Sequence, residues 1–211
     1  MAKRKKKNKT RIKKAPFVIL FLILAAVLIF HHFDYISEKA KEFSPNAFTY
    51  PTKYEEYVIK YSKEFDIDPR FIYAVINTES HFNPDATSDV GARGLMQLME
   101  DAYDWVKFRL DDTREHTYDD MYDPELNIEY GSYMLKYLYD KYNSYELTAA
   151  AYHGGMGAVD GWIDDGTVDP ENFSLEDVPS DVTANYIYKV KTAYNKYKEK
   201  TEEEIYNGQE N

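Results

Sequence analysis

From Lys53 onward, apolar residues recur at intervals of three and four in one segment after another, and no run alternates apolar with polar residues long enough to make a convincing strand. That periodicity confines the downstream chain to an all-α (mainly α) fold of several short helices. In YEEYVIKYSKEF, Tyr54, Tyr57, Val58, Tyr61 and Phe65 share one side. Asp66 and Asp68 end that helix, and Asp68-Pro69 opens the next with an N-cap and a first-turn proline. Pro124 to Tyr142 repeats Ile128, Gly131, Leu135, Leu138 and Tyr142, a buried stripe with a glycine where another helix can approach closely. LTAAAYHGG is small and apolar enough for a central helix ending at Gly154. SDVTANYIYKVKTAYNKYKEK starts from a Ser/Asp cap and turns Val182, Tyr186, Val190, Tyr194 and Tyr197 to one side. The connections DDTREHTYDD and IDDGTVDPENF read as irregular, and TEEEIYNGQEN as a fraying end.

Upstream the chain is of another kind. Residues 1–14, MAKRKKKNKTRIKK, hold nine of the 26 Lys and Arg and none of the 37 Asp and Glu, so the 17 remaining cations face all 37 acids. Ala15 to Phe30 follow without a charge. As a helix this run spans roughly 24 Å, a little under the hydrocarbon thickness of a bilayer, and His31, His32, Phe33 and Tyr35 supply interfacial flanks. The expectation is a single-pass N-terminal transmembrane helix over residues 15–33, in contact with membrane lipid. The positive-inside rule puts segment 1–14 in the cytoplasm and everything beyond about Phe33 outside. A cleaved secretory signal shares the basic-then-apolar layout, but the run is long for one and HHFDY offers no small-x-small site. No nucleic-acid partner is expected, because the acidic remainder would repel phosphate.

Residues 34–52, polar with two prolines, read as a stalk. Residues 53–198 read as one globular domain and 199–211 as a polar tail, consistent with a length that favours a single core. Cys is absent, which removes disulfides and thiolate metal sites.

The chemistry-bearing candidate is Glu79. Ile72, Val75, Ile76 and Glu79 follow helical spacing in PRFIYAVINTES, so the carboxyl shares the buried face at the helix's C-terminal end. Burial and the negative end of the helix dipole both disfavour its charged form. A carboxylic acid still protonated near neutral pH is what general-acid catalysis requires. On periodicity alone, a helix-end Glu turned to solvent competes with this reading.

The surrounding motifs decide between them. Glu79-Ser80 is followed by Phe82-Asn83-Pro84 with Ala86, then by Gly91-Ala92-Arg93-Gly94-Leu95-Met96-Gln97-Leu98-Met99. Further on come Asn127-Ile128 with Tyr130-Gly131, Ala150-Ala151-Tyr152 with a glycine cluster, and Pro179 with Thr183 and Tyr186. In this order, from about Tyr54 to Tyr197, the sequence resembles the soluble lytic transglycosylases, lysozyme-like enzymes that cleave peptidoglycan.

The resemblance implies a lysozyme-like multi-helix domain and a membrane-anchored enzyme acting on glycan strands, with Glu79 as sole acid and base. Glu79 would protonate the oxygen linking N-acetylmuramic acid to N-acetylglucosamine, and the 6-hydroxyl would then attack C1 to leave a 1,6-anhydro end. The substrate's N-acetyl group takes the place of a second carboxylate, and Asp85 and Asp89 read as turn and cap residues. Substrate contact is implied for Ser80, Gly94, Leu95, Met96 and Gln97, and for Tyr152, His153, Gly154 and Tyr186. In this picture Gly91 and Gly94 let backbone approach the sugar, Gln97 offers donors and acceptors, and the two tyrosines lie near the acid, where a phenol can bond its carboxyl.

Two positions depart from the family pattern. His153 stands where an Asn is usual, and Val182-Thr183 where Glu-Thr is usual. The first implies an altered substrate grip or pH profile, and the second removes a polar contact. Two other readings share this sequence: a hydrolytic muramidase using the same Glu79, and a non-catalytic peptidoglycan-binding module.

No metal or organic cofactor is expected. His116 among Asp111, Asp112, Glu115, Asp119 and Asp120 reads as a solvated loop, and Asp164, Asp165 and Asp169 lack the alternation of a calcium loop. HExxH, phosphate-loop and nucleophile-triad signatures are absent. Nothing in the sequence identifies a protein partner.

Overall fold

The computed structural model describes residues 50–206. The expected anchor, the basic segment before it and most of the stalk lie outside the described residues, among which no helix is long and apolar enough to cross a membrane. Among the described residues eight α-helices follow in order: α1 Glu55–Phe65, α2 Pro69–Glu79, α3 Glu100–Arg109, α4 Pro124–Tyr142, α5 Tyr145–Gly154, α6 Met156–Asp164, α7 Asp181–Lys198 and α8 Glu202–Tyr206. Short 3₁₀ turns stand at Tyr118–Tyr122 and Leu175–Asp177. Strand-like pairing among the described residues is limited to single bridges, Thr87 with Arg93 and Arg93 with Leu98.

Local chemistry starts these helices where the sequence indicates. Asp68 accepts from the Arg70 N–H at 2.9 Å ahead of Pro69, and Asp123 accepts from Leu126 N–H at 2.9 Å ahead of Pro124. Ser144 and Ser180 cap α5 and α7 in the same manner. Helix α4 ends at Asn143, whose φ of +47° is the left-handed stop that Asn tolerates.

The core is arranged around α2 and α5. Phe71 through Ile76 are all buried on α2, more completely than a one-sided amphipathic helix requires, and Leu147 with Ala149, Ala150 and Ala151 form the buried body of α5. Each large aliphatic side chain withdrawn from water in this way contributes about 2 kcal/mol. Helix α2 packs on α7, α5 on both α4 and α7, and α1 on α4. Small residues let helices close up: Gly131 of α4 meets the Met96 side chain so tightly that a Cβ there would collide with its sulfur.

Helix α7 pins α2 at both ends. Tyr194 donates to Asp68 Oδ2 at 2.8 Å beside the first turn, and Tyr186 donates to Glu79 Oε1 at 2.6 Å at the last. Between them the Tyr73 and Tyr197 rings stack at 5.4 Å. The placement of Glu79 therefore follows from how α2 lies on α7.

Three local expectations are corrected. Val182 was expected inward, yet it is 68% exposed while Thr183 is buried, because the stripe through Tyr186, Val190, Ala193 and Tyr197 has Thr183 in phase. Tyr54 precedes α1 in a left-handed conformation, φ +60°, rather than lying on its face. The tail does not fray before Tyr206: Thr201 and Glu204 cap each other, Ile205 is fully buried, and Glu202 pairs with Arg70.

Candidate active site

Glu79 is the last residue of α2, and Ser80 closes the helix with its backbone N–H and its hydroxyl both directed to Ile76 O. The residue is half-buried, its carboxyl is largely withdrawn from water, and Tyr186 is its hydrogen-bond partner. Burial drives its pKa up, and the Tyr186 hydrogen bond, which favours the carboxylate, pulls part of the way back; the result is about 7. The C-terminal end of the helix dipole acts in the same direction as burial. A group in this state exchanges a proton near neutral pH in either direction.

Beyond Ser80 the chain makes a tight loop to Met99. His81, Phe82 and Gln97 carry positive φ (+52°, +63° and +48°), as do Gly91 and Gly94. Asn127 of α4 holds this loop from beneath: its side-chain oxygen accepts from Met96 N–H at 2.8 Å, and its amide donates to Arg93 O at 3.0 Å and Met121 O at 2.8 Å. Tyr118 adds donations to Gly91 O and Leu98 O, and the Arg93 guanidinium lies 4.1 Å from its ring. The motif positions are thus fixed as backbone before any ligand arrives.

Several residues expected to touch substrate are turned elsewhere. Leu95 and Met96 are fully buried, so their side chains offer no surface to the cleft. A Cβ on Gly94 would strike Met121 O and the Asn127 amide, so this glycine serves the close approach of α4 and its preceding turn rather than of a sugar. The Gln97 amide donates to Ala86 O at 3.1 Å and Gly94 O at 2.9 Å, which ties it to the loop.

Tyr152 does not bond the carboxyl. It donates to Met96 O at 2.7 Å, while the Glu79 charge and burial together raise its pKa. Tyr186, His153 and Thr183 do come together beside the acid: the His153 and Tyr186 rings stack at 4.6 Å, and His153 Nδ1 lies 3.4 Å from Thr183 Oγ1. Gly154 ends α5 with Thr183 in ordinary contact range of where a Cβ would stand.

Asn127, Tyr118 and Arg93 received no role from the sequence, although Asn127 was legible as a polar residue beside an apolar helical stripe. His116 is also corrected. Most of its loop is solvated as expected, with Asp111, Glu115, Asp119 and Asp120 exposed, but His116 itself turns inward, 3.0 Å from Asp112, which Arg114 and Tyr130 also bond. Among the described residues no group of three or more His, Cys, Asp or Glu is arranged to hold a metal. Asp85 and Asp89 are exposed on the loop.

A family model, the transglycosylase SLT domain, matches residues 56–171, more than half of the chain. The chain belongs to this family. The SLT domain is 34% identical over 153 residues to the soluble lytic murein transglycosylase of Salmonella typhimurium, covering 70% of this chain and 23% of that protein. Membrane-bound lytic murein transglycosylase C of Klebsiella pneumoniae is 29% identical over 171 residues, with 70% of this chain and 47% of that one covered. Among solved structures, an inactive Glu-to-Gln mutant of the Pseudomonas aeruginosa lytic transglycosylase Slt superposes with a TM-score of 0.64 at 26% identity, covering 71% of this chain and 24% of that chain. The chain thus spans about a quarter of the Salmonella and Pseudomonas proteins.

Proposed function

We propose that the SLT domain is a peptidoglycan lytic transglycosylase in which Glu79 acts alone, first as acid and then as base. The observation that carries this is a carboxyl whose withdrawal from water raises its pKa to about 7 and which, among the described residues, is bonded by Tyr186 and by no cation. Protonated Glu79 gives its proton to the oxygen between N-acetylmuramic acid and N-acetylglucosamine as that bond breaks. The N-acetyl group of the muramic acid shares the positive charge developing at C1. Ionised Glu79 then takes the proton of the 6-hydroxyl as that oxygen bonds C1, which closes the 1,6-anhydro ring and returns the acid to its starting state. Water is not consumed. The names of the relatives support murein as the substrate, and the Glu-to-Gln change in the inactive Pseudomonas structure supports a glutamate as the essential group.

The test is mass spectrometry of purified peptidoglycan incubated with the 211-residue chain and with its Glu79→Gln variant. Anhydromuropeptides from the wild type that vanish in the variant are the expected result. Reducing ends would make the protein a hydrolytic muramidase, and intact glycan with both folded proteins would leave a binding module.

Residues 15–33 are proposed to anchor this domain on the outer side of the cell membrane, with segment 1–14 in the cytoplasm. The composition of that run and the membrane-bound relative support the placement. Fractionation is expected to recover the full-length chain in membranes with its domain open to external protease; a shortened soluble form would indicate signal cleavage instead.

A further inference from the structure

His153, one of the positions at which the sequence departs from the family pattern, touches Thr183, the chain neighbour of the other, Val182. His153 stands in the last turn of α5 and Thr183 in the first turn of α7, where Ser180 accepts from both its backbone N–H and its hydroxyl. The imidazole, 3.4 Å from that hydroxyl through Nδ1, lies nearly parallel to the Tyr186 ring, with centroids 4.6 Å apart and planes at 27°. Tyr186 in turn donates to Glu79 Oε1. An asparagine at 153 has no ring to lay on Tyr186, so this chain has a contact that the usual residue cannot make.

We propose that His153 is a positioning residue: its stacked imidazole holds the Tyr186 phenol on Glu79 and so helps to set the pH at which the acid gives up its proton. Core packing holds most of the Tyr186 ring and the half-exposed His153 imidazole covers one face of it; a hydrogen bond to a carboxyl weakens steeply with misalignment, so a small tilt of the ring is enough to loosen it. That bond is the single influence opposing burial at Glu79, so loosening it leaves burial unopposed and moves the titration upward. The groups facing Glu79 are Tyr186 from α7 and Tyr152 from α5, whose own titrations both feel its charge. The groups facing His153 are Tyr186 and Thr183, both from α7. Burial alone lowers the His153 pKa, which keeps the ring neutral near pH 7. The stack therefore joins two uncharged rings and acts through orientation.

This inference rests on the reading of Glu79 as the acid, and its test is made without turnover. The 211-residue chain is prepared with ¹³C-labelled glutamate carboxyls, Glu79→Gln assigns the resonance, and its midpoint is compared in wild type, His153→Ala, His153→Phe and Tyr186→Phe. Tyr186→Phe is expected to raise the midpoint by about one pH unit, the worth of a hydrogen bond to a charged group. His153→Ala is expected to move it the same way by at least roughly a third of that, and His153→Phe, which keeps a stacking ring, to stay within about 0.2 of wild type. A His153→Ala midpoint equal to that of wild type would overturn the proposal, as would a His153→Phe midpoint equal to that of His153→Ala, or no movement in Tyr186→Phe. Glycan cleavage by the wild type is read separately; its absence would remove the functional reading while leaving the titration result intact.

Discussion

Glu79 and Asp112 each accept a hydrogen bond from a buried tyrosine, and they are driven in opposite directions. Glu79 takes 2.6 Å from Tyr186 and titrates at about 7. Asp112 takes 2.8 Å from Tyr130, yet Arg114 and His116 also bond it, and its pKa falls far below the usual carboxylate range, with the Arg114 guanidinium as the largest cause. A phenol by itself does not decide whether a carboxyl is an acid or an anchor. What decides is whether a cation is admitted beside it. At the end of α2, among the described residues, no cation bonds the carboxyl, whereas in the 112–130 cluster Arg114 bonds both Asp112 and Glu129, and Tyr130 and His116 also bond Asp112.

The largest expected difference between the two is catalytic. On the proposed reading Glu79→Gln removes the proton that cleavage needs and is expected to reduce glycan cleavage by about 10²- to 10⁴-fold, whereas Asp112→Asn is expected to leave the rate per folded molecule unchanged. A chromatographic assay of released muropeptides, normalised to folded protein, reads both; comparable losses from the two variants would end the distinction. In the wild type, cleavage is expected to decline as pH rises through about 7, where Glu79 loses its proton.

Stability is expected to show the reverse order. Asp112→Asn leaves Arg114 and His116 without the carboxylate they share, at a cost on the order of 2 kcal/mol near pH 7. Because the folded-state pKa of Asp112 is depressed, its contribution is present above the ordinary carboxylate range and is lost as pH falls through that range and below it. Urea midpoints at pH 7 and pH 3 check this: the gap between wild type and variant should be smaller at pH 3 and shrink further in stronger acid.

Glu79 carries the opposite sign. Its folded pKa lies above its unfolded one, so the stability contribution is whole below about pH 4 and is lost as pH rises through about 7. At pH 8 the wild type therefore carries a buried charge that costs on the order of 2 kcal/mol, and Glu79→Gln is expected to be more stable by about that much. At pH 4 the two should unfold together. Equal stability at both pH values would show that the carboxyl is solvated and is not held as an acid.

The sequence made part of this contrast legible. Glu79 could be placed because helical spacing and the Asp68-Pro69 start are local signals, and both fix the phase of α2. The ordered motifs around it pointed to the loop, but not to which way its side chains turn. Periodicity loses its meaning where φ is positive, as at Phe82 and Gln97, so the inward turn of Gln97 and the burial of Leu95 and Met96 follow from contacts with α4, some 30 residues downstream. The Asp112 cluster was hidden for a similar reason. The acids of DDTREHTYDD read alike, and most are exposed; that Asp112 differs follows from Tyr130 of α4, which bonds it, and from Glu129, which bonds the same Arg114. Thr183 and Val182 differ by one helical position, which is finer than the spacing of apolar residues alone resolves.

The smallest expected effect separates the two tyrosines themselves. Tyr130→Phe removes one of several bonds to Asp112, and Arg114 still holds the carboxylate through Oδ1 at 2.9 Å and Oδ2 at 2.5 Å. The cost should be about 1 kcal/mol of stability, with the pH dependence of cleavage unaltered. Tyr186→Phe removes the one side-chain hydrogen bond that Glu79 accepts among the described residues, and the midpoint of the descending limb should rise by about one pH unit. Measured side by side, the same loss of a hydroxyl is thus expected to be read as stability at one carboxylate and as acidity at the other. If Tyr130→Phe moved the pH profile as far as Tyr186→Phe, the two regions would have to be coupled through Tyr152 and Met96, which lie between α5 and the loop.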